Sequence, residues 1–155
     1  MSKLKRSIEQ VEFDIILPIW DNYLWPRRKS PIKPMSSMTY DGGYDMSIYE
    51  KYSPSFFAVY ENNTIIGVNS CHRTQSAQSR SRGIWVDPKY RNQGVAGLLF
   101  DAVDDIARKE NCTEIWSLPR KSALSAYERY GYVRTSDFIS EGVEFGPNCY
   151  VCKLL

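Results

Sequence analysis

The residues best suited to bind a ligand form a turn between a strand and a helix. Gly83–Val86 (GIWV) reads as the strand, Asp87-Pro88 ends it, and the amphipathic segment Val95–Glu110 predicts the helix that follows. The free N–H groups of a first helical turn and the positive end of its dipole attract anions. The candidate residues for binding a phosphate here are Arg91, Asn92, Gln93, Gly94, Val95, Ala96 and Gly97.

The small residues of this turn leave two interpretations open. They allow a phosphate to approach the backbone closely, but they also suit a tight connection that binds nothing. Neither G-x-x-x-x-G-K-[ST] nor G-x-G-x-x-G occurs in the chain. Nucleoside triphosphates and dinucleotides therefore lose support as ligands.

The chain has few side chains that could bind a metal ion or act as a general base. His72 is the single histidine, which excludes His-rich metal sites and mechanisms that need two imidazoles. Four cysteines are spread unevenly, and Cys149 and Cys152 form a lone C-x-x-C in a strand-like run. Reduced, buried thiols are expected, and no metal site is predicted.

Length and composition fit one ordinary domain over residues 1–155. Hydrophobic residues make up 43% and charged residues 25%, and the net charge is +2. That charge is uneven, because residues 73–91 hold five basic residues and one acidic residue. No signal peptide or membrane span is predicted, so the expected location is the cytoplasm.

The elements that must position the turn follow from hydrophobic periodicity. They predict a mixed α/β (α+β) sheet with helices on both faces. The expected strands are Leu4–Ile8, Ser55–Tyr60, Thr64–Cys71, Gly83–Val86, Thr113–Leu118, one at Ile139 and one at Tyr150–Leu155. The expected helices are Glu12–Trp25, Val95–Glu110 and a helix from an N-capping Ser122 to Tyr130, with Gly131 as the left-handed residue after it.

Two motifs on these elements resemble those of the GNAT N-acetyltransferase superfamily. Val86–Ala96 (VDPKYRNQGVA) is similar to motif A, [QR]-x-x-G-x-[GA], with Arg91, Gly94 and Ala96 at its defined positions. Ala123–Tyr132 (ALSAYERYGY) looks like motif B, A-x-x-x-Y-x-x-x-G-[FY]. The loop Trp25–Asp45 resembles small stand-alone members from bacteriophages.

The resemblance implies a fold, a reaction and a cosubstrate. The fold would be a GNAT-type mixed, mostly antiparallel sheet of six to seven strands flanked by about four helices. Acetyl-CoA would donate its acetyl group to a primary amine on a small molecule or protein, by direct attack in a ternary complex. Gln93–Gly97 and Arg91 would hold the pyrophosphate, Trp85 and Val86 would pair with pantetheine, and Ser122 would add a contact.

The resemblance also implies catalytic roles. The Val86 N–H would stabilise the oxyanion, and Tyr127 would protonate the departing thiolate. Tyr127 is also spaced as a core tyrosine would be, and Tyr130 is a second candidate acid. Arg120 stands where the family often has a pantetheine-binding asparagine. The general base is open among His72, a distant carboxylate and water, and a lone histidine at a strand end is more often a surface residue.

The sequence leaves open which acceptor substrate is used and allows alternative functions. Arg73, Arg80 and Arg82 are expected in a solvated turn, or else to meet an acidic acceptor or the outer phosphates of CoA. Asp41, Asp45 and Glu50 point instead to attraction of an amine. One alternative function is a catalytically silent GNAT domain that binds CoA as a sensor or assembly component. A nucleic-acid module lacks a motif, a membrane partner is not expected, and a homodimer is compatible with the family.

Overall fold

The computed structural model describes residues 5–35 and 46–155, and its strands and helices follow the expected order. The strands are β1 (Arg6–Val11), β2 (Ser55–Glu61), β3 (Thr64–Gln75), β4 (Gln78–Val86), β5 (Glu114–Ser117), β6 (Val133–Arg134) and β7 (Val151–Leu154). The α-helices of the described residues are α1 (Phe13–Ile19), α2 (Met46–Lys51), α3 (Val95–Lys109) and α4 (Leu124–Arg129).

The seven strands form one sheet in the order β1-β2-β3-β4-β5-β7-β6. Every neighbouring pair is antiparallel except β4 and β5, which run parallel. Helix α3 supplies the crossover that a parallel pair requires. The predicted fold class, a mixed and mostly antiparallel sheet of six to seven strands with about four helices, is confirmed.

Helices cover both faces of the sheet. On one face, Leu99 and Val103 of α3 belong to a core that also contains Tyr127 of α4. On the other face, Ile16 and Trp20 pack against Phe56, Ala58 and Val68. The sheet therefore separates a layer that contains α3 and α4 from a layer that contains α1.

Helix α1 is shorter than the sequence predicts, because Pro18 lies inside it. Proline has no N–H to donate to the preceding turn, so one α-helical hydrogen bond is missing close to the end of α1. The chain continues as a π-helical turn, Trp20–Leu24, in which the Trp25 N–H donates to the Trp20 carbonyl at 2.7 Å. The proline thus changes the second half of the predicted helix.

The expectation of a solvated arginine turn is wrong. β3 continues to Gln75 and β4 begins at Gln78, so a tight turn at Ala77 (φ 63°) joins two long strands. Arg80 and Arg82 are only 8% and 5% exposed, and Arg73 is also buried. Their aliphatic stems pack in the fold and their guanidinium groups stack on aromatic rings, so polar residue types here do not mean solvent exposure.

Three smaller expectations also differ from the structure. Helix α4 begins at Leu124 with Ala123 as its N-cap, so Ser122 does not cap it, although Gly131 (φ 97°) is left-handed as predicted. Ile139 forms only an isolated bridge with Asn148. The two-residue strand β6 was not predicted, since so short a segment has no measurable alternation.

Candidate active site

Strands β4 and β5 separate partway along their length. They pair from Gln78 opposite Glu114 only as far as Arg80 opposite Trp116. Just beyond, the Ser117 hydroxyl donates to the Ser81 carbonyl at 2.6 Å, and from there β4 continues beside β3 alone. The separation opens a gap in the middle of the sheet.

A bulge at Gly83 shapes the β4 side of this gap. Gly83 has φ +81°, and its carbonyl accepts a hydrogen bond of 2.8 Å from the Trp20 indole N–H. A Cβ at this position would lie 2.5 Å from the Trp20 ring, so a side chain does not fit. The motifs in the sequence did not indicate this role of Gly83, although an isolated glycine inside a strand is a known sign of a bulge.

The register of β3 and β4 decides which backbone groups face the gap. The Asp87 N–H donates to the Ile66 carbonyl at 2.8 Å, and Gly67 is paired with Val86. In an antiparallel ladder this makes Gly67 and Val86 a pair without mutual hydrogen bonds. The N–H of Val86 therefore points away from β3, whereas the backbone of Trp85 bonds to β3.

Trp85 contributes its side chain to the α1 face of the sheet. Its ring is stacked on that of Tyr23, with the centroids 5.2 Å apart and an interplanar angle of 17°. It packs at the edge of the cluster around Trp20. The Trp85 side chain is thus a packing aromatic, which is what a strand tryptophan usually is.

A cavity of about 210 Å³ occupies the gap. Its walls include Gly83 and Ile84 of β4, Ser117 at the end of β5, and Tyr127 of α4. Leu24 and Trp25 line it from the α1 side, so the cavity reaches through the sheet. Residues from both sides of the sheet therefore line one and the same cavity.

Tyr127 places its phenol in this cavity and its ring in the core. The side chain is 2% exposed, and its ring contacts those of Phe100 and Tyr132 with centroids 5.0 and 5.1 Å away. The phenol oxygen lies 3.3 Å from the Ser117 hydroxyl, whose single proton serves the Ser81 carbonyl. Ser117 thus lies between the Ser81 carbonyl and the Tyr127 phenol.

The phenol of Tyr127 is held in its protonated form. Burial raises its pKa above the usual 10.0, and the hydrogen bond with Ser117 opposes this in part. Tyr127 is thus a core residue that also lines the cavity, because its ring is buried and its hydroxyl faces the cavity.

In the predicted phosphate-binding turn, the residue just before α3 has a left-handed backbone conformation and open space beside it. Gly94 is the N-cap of α3 with φ 81°, and a Cβ added there meets no atom within 4 Å. Arg91, Asn92, Gln93 and Gly94 are exposed, while Val95 is buried at 1%. The first amides of α3 therefore border open space, and Val95 anchors the helix in the core.

Gly97, at the end of the turn, has a packing role. A Cβ on Gly97 would lie 2.9 Å from the Tyr130 hydroxyl, so this glycine lets α4 pack closely against α3. Tyr130 is thereby placed beside the turn and does not line the cavity. Ser122 is exposed on a short 3-10 turn and is not part of the cavity wall either.

A contact that the sequence did not indicate holds the turn from β1. The guanidinium of Arg6 donates to the Gln93 carbonyl and to the Gln93 side-chain oxygen, each at 3.2 Å. The same guanidinium pairs with Glu61 of β2 at 2.8 Å. Arg6 is 87 residues from Gln93 in the chain, so only the fold brings them together.

His72 is buried on β3, opposite Arg80 of β4, and it is 1% exposed. The expectation of a surface histidine is therefore wrong. Burial, together with the charges of Arg80 and Arg82, holds its pKa well below the usual 6.5. The low pKa keeps the imidazole neutral. His72 does not line the cavity, so its ring does not face it.

The buried imidazole predicts a pH effect on stability. Below pH 6.5 the unfolded chain binds a proton at His72 that the folded chain does not, so stability falls as the pH decreases. We expect a slope of up to about 1.4 kcal/mol per pH unit from this group. Urea unfolding between pH 7.5 and 5.5 measures it, with His72→Asn as the reference. Equal pH dependence in the two proteins would contradict the assignment.

Several candidate acidic and acceptor-side residues can now be placed. Asp41, Asp45 and the other residues from 36 to 45 of the loop Trp25–Asp45 lie outside the described residues. Glu50 is exposed on α2 and does not line the cavity. Arg120 does line it, and its guanidinium donates to the Leu24 carbonyl. Among the described lining residues the only carboxylate is that of Glu144, which the sequence did not indicate.

Residues 5–35 and 46–155 contain neither a cluster of metal ligands nor a helix suited to a membrane. Within these ranges no group of three or more His, Cys, Asp or Glu side chains is arranged to hold a metal ion. No helix in the same part of the chain is long and apolar enough to cross a membrane.

Comparison with known proteins identifies the family. The model of the acetyltransferase (GNAT) family matches residues 19–132. The chain therefore belongs to the GNAT acetyltransferase family, as motifs A and B indicated. A search of curated proteins by sequence gives no significant match.

Solved structures have the same fold at low sequence identity. Ard1 from Thermoplasma volcanium matches with a TM-score of 0.69 and 16% identity, over 97% of this chain and 97% of its own. A GNAT family acetyltransferase from Staphylococcus aureus Mu50 gives 0.66 and 18%, over 97% and 99%. One from Elizabethkingia anophelis with acetyl-CoA bound gives 0.59 and 18%, over 97% and 98%.

Proposed function

We propose that this protein transfers the acetyl group of acetyl-CoA to a primary amine by direct attack in a ternary complex. The observation that carries the proposal is the cavity between β4 and β5, which contains a protonated tyrosine and is lined by residues from both sides of the sheet. Family membership supports the acetyl transfer, and the relative with acetyl-CoA bound supports the cosubstrate.

The turn before α3 is the proposed site for the pyrophosphate of CoA. The open space at Gly94 fits a phosphate against the first amides of α3, and the helix dipole favours its charge. Arg91 is exposed beside these amides and adds a positive charge. Residues Gln93 to Gly97 then form the cradle, and Asn92 (φ 61°) turns the chain into it.

Two groups of this chain carry the proposed chemistry: the Tyr127 hydroxyl, which lines the cavity, and the Val86 N–H, which lies on β4 two residues beyond the last β4 residue that lines it. The amine nitrogen forms a bond to the thioester carbonyl carbon, and the Val86 N–H donates to the oxygen that becomes negative. When the C–S bond breaks, Tyr127 gives its proton to the sulfur and regains one from solvent. Val86 also offers its backbone to pantetheine, whereas the backbone of Trp85 bonds to β3.

The proton of the amine leaves to water in this proposal. His72 does not face the cavity. Glu144 is the one carboxylate among the described residues that line the cavity, and it is exposed. Because the raised pKa of Tyr127 keeps the acid protonated, turnover should rise with pH as the amine loses its proton and should not fall before pH 10.

The test of the proposal is thiol release from acetyl-CoA with a panel of amino acids, polyamines and peptides. Calorimetry with CoA is run in parallel. Binding with turnover of at least one amine is the expected result. Binding without turnover on the whole panel would favour the silent CoA-binding domain, and no binding would exclude both functions.

The contact between Arg6 and Gln93 gives a prediction about CoA binding. We expect Arg6→Ala to weaken CoA binding about fivefold, since a hydrogen bond contributes about 1 kcal/mol and the turn loses its support from β1. The measurement is the Kd for CoA by calorimetry. Lys5→Ala, at an exposed neighbour, is the control. An unchanged Kd in Arg6→Ala would show that the turn holds its shape without this contact.

A further inference from the structure

The end of β5 carries a serine that joins the two strands where they separate. Ser117 is the last residue of β5 and is 3% exposed. Its hydroxyl donates to the Ser81 carbonyl of β4 at 2.6 Å, one residue beyond the last backbone pair of the two strands. The same hydroxyl lies 3.3 Å from the phenol oxygen of Tyr127 and lines the cavity with it. One small side chain therefore connects the edge of the gap with the proposed acid.

Proton transfer from this phenol to a thiolate is unfavourable without help. An ordinary thiol has a pKa of about 8.5 and an ordinary tyrosine one of about 10, so the proton moves to the weaker base. Burial raises the pKa of Tyr127 further, which makes the transfer still more unfavourable. Hydrogen bonding to Ser117 and Ser81 opposes this rise in the pKa, because it stabilises the phenolate. A neighbour of this kind therefore lowers the cost of the transfer.

The other groups around the phenol are held in place by the fold. The Asn69 amide donates to the Ser81 hydroxyl at 3.0 Å, and both residues are fully buried. The rings of Phe100 and Tyr132 contact the phenol ring. The hydroxyl of Ser117 can turn about its C–O bond, so it can respond when the charge on the phenol oxygen changes. Groups arranged in this way before the reaction need little reorganisation during it.

We propose that Ser117 is a positioning residue for the acid: its hydroxyl orients the phenol of Tyr127 in the cavity and stabilises the phenolate that proton transfer leaves. The assignment rests on the proposed acetyl transfer and adds a residue to it. In the step, the O–H bond of Tyr127 breaks, an S–H bond forms on CoA, and the electron pair stays on the phenol oxygen. The Ser117 hydroxyl then turns from the Ser81 carbonyl to this oxygen and keeps its own proton. Solvent returns a proton to Tyr127, as in the proposed reaction.

Loss of this hydroxyl should lower kcat and leave cosubstrate binding nearly unchanged. In Ser117→Ala we expect kcat to fall by at least about tenfold, because a hydrogen bond to a charged group is lost. The matched control is Ser70→Ala. Ser70 is a buried serine of β3 whose hydroxyl donates to the Arg82 carbonyl of β4, also at 2.6 Å, and it does not line the cavity. Both variants lose the same type of bond to the same strand, so an equal kcat in the two would contradict the role of Ser117.

A double variant shows whether Ser117 acts through Tyr127. If it does, adding Ser117→Ala to Tyr127→Phe lowers kcat no further, because no phenolate forms in that background. A purely structural role would lower kcat by the same factor in both backgrounds, and that result would overturn the proposal.

Titration of Tyr127 gives a readout that needs no turnover. The protein is labelled with fluorotyrosine, and the fluorine NMR signal of Tyr127 is identified by its absence in Tyr127→Phe. We expect a higher pKa for Tyr127 in Ser117→Ala than in Ser70→Ala, because the phenolate loses a hydrogen-bond donor. The same pKa in the two variants would overturn the proposal.

The outcomes separate this inference from the proposed function. If Tyr127→Phe loses activity and Ser117→Ala retains it, only the role of Ser117 is wrong. If acetyl-CoA binds and no amine is acetylated, both proposals are wrong. A loss of kcat in Ser117→Ala that depends on Tyr127, together with a higher pKa of that phenol, supports both.

Discussion

Replacing Gly94 with glutamate is expected to abolish CoA binding while leaving the fold intact. The added side chain enters space that is empty of protein atoms, so it meets no steric obstacle. It places a negative charge where the pyrophosphate is proposed to lie. Two such charges about 4 Å apart repel by about 4 kcal/mol near a protein surface, which corresponds to a loss of about a thousandfold in affinity. Calorimetry with CoA measures the effect.

Two controls separate charge from backbone strain in this experiment. Gly142 also has a positive φ (75°), and a Cβ added there meets no atom within 4 Å, so Gly142→Glu adds the same charge and strain elsewhere. Gly94→Ala adds the left-handed strain, about 1–2 kcal/mol, without the charge. CoA affinity close to that of the unaltered protein in Gly94→Glu would remove the phosphate cradle from the site.

The second large effect is expected from Tyr127→Phe. The ring would keep its packing against Phe100 and Tyr132, and only the hydroxyl that faces the cavity is lost. General acids contribute about a hundredfold or more to such reactions, so kcat should fall by about that factor. The Kd for acetyl-CoA should change little. Steady-state kinetics and calorimetry together give both numbers.

Tyr132→Phe is the matched control for this change. Tyr132 is as buried as Tyr127, at 2%, and its hydroxyl has no hydrogen-bond partner among the described residues. It does not line the cavity, so removing its hydroxyl should leave kcat unchanged. If Tyr127→Phe turned over acetyl-CoA as fast as Tyr132→Phe, Tyr127 would be a core residue without a catalytic role.

The local elements of the site were predictable because their signals are short-range. The amphipathic pattern of Val95–Glu110 predicted α3 to within one residue, and Gly131 is the left-handed residue after α4, as predicted. Motifs A and B identified the family because they combine chemistry with spacing along the chain. Arg80 and Arg82 were misplaced, because polar residues look like a turn unless their stacking partners Trp116 and Trp25 are known.

The sequence by itself determined the family, the order of the elements, the candidate phosphate-binding turn and the candidate tyrosine. The tertiary structure decided the separation of β4 from β5, the direction of the Val86 N–H and the contact of Arg6 with the turn. It also decided that the arginines of β4 line the cavity with Arg28 and Arg120. The physical reason is range: turns, caps and periodicity depend on neighbours within a few residues, whereas strand register, burial and the summed charge of a cavity depend on residues far apart in the chain.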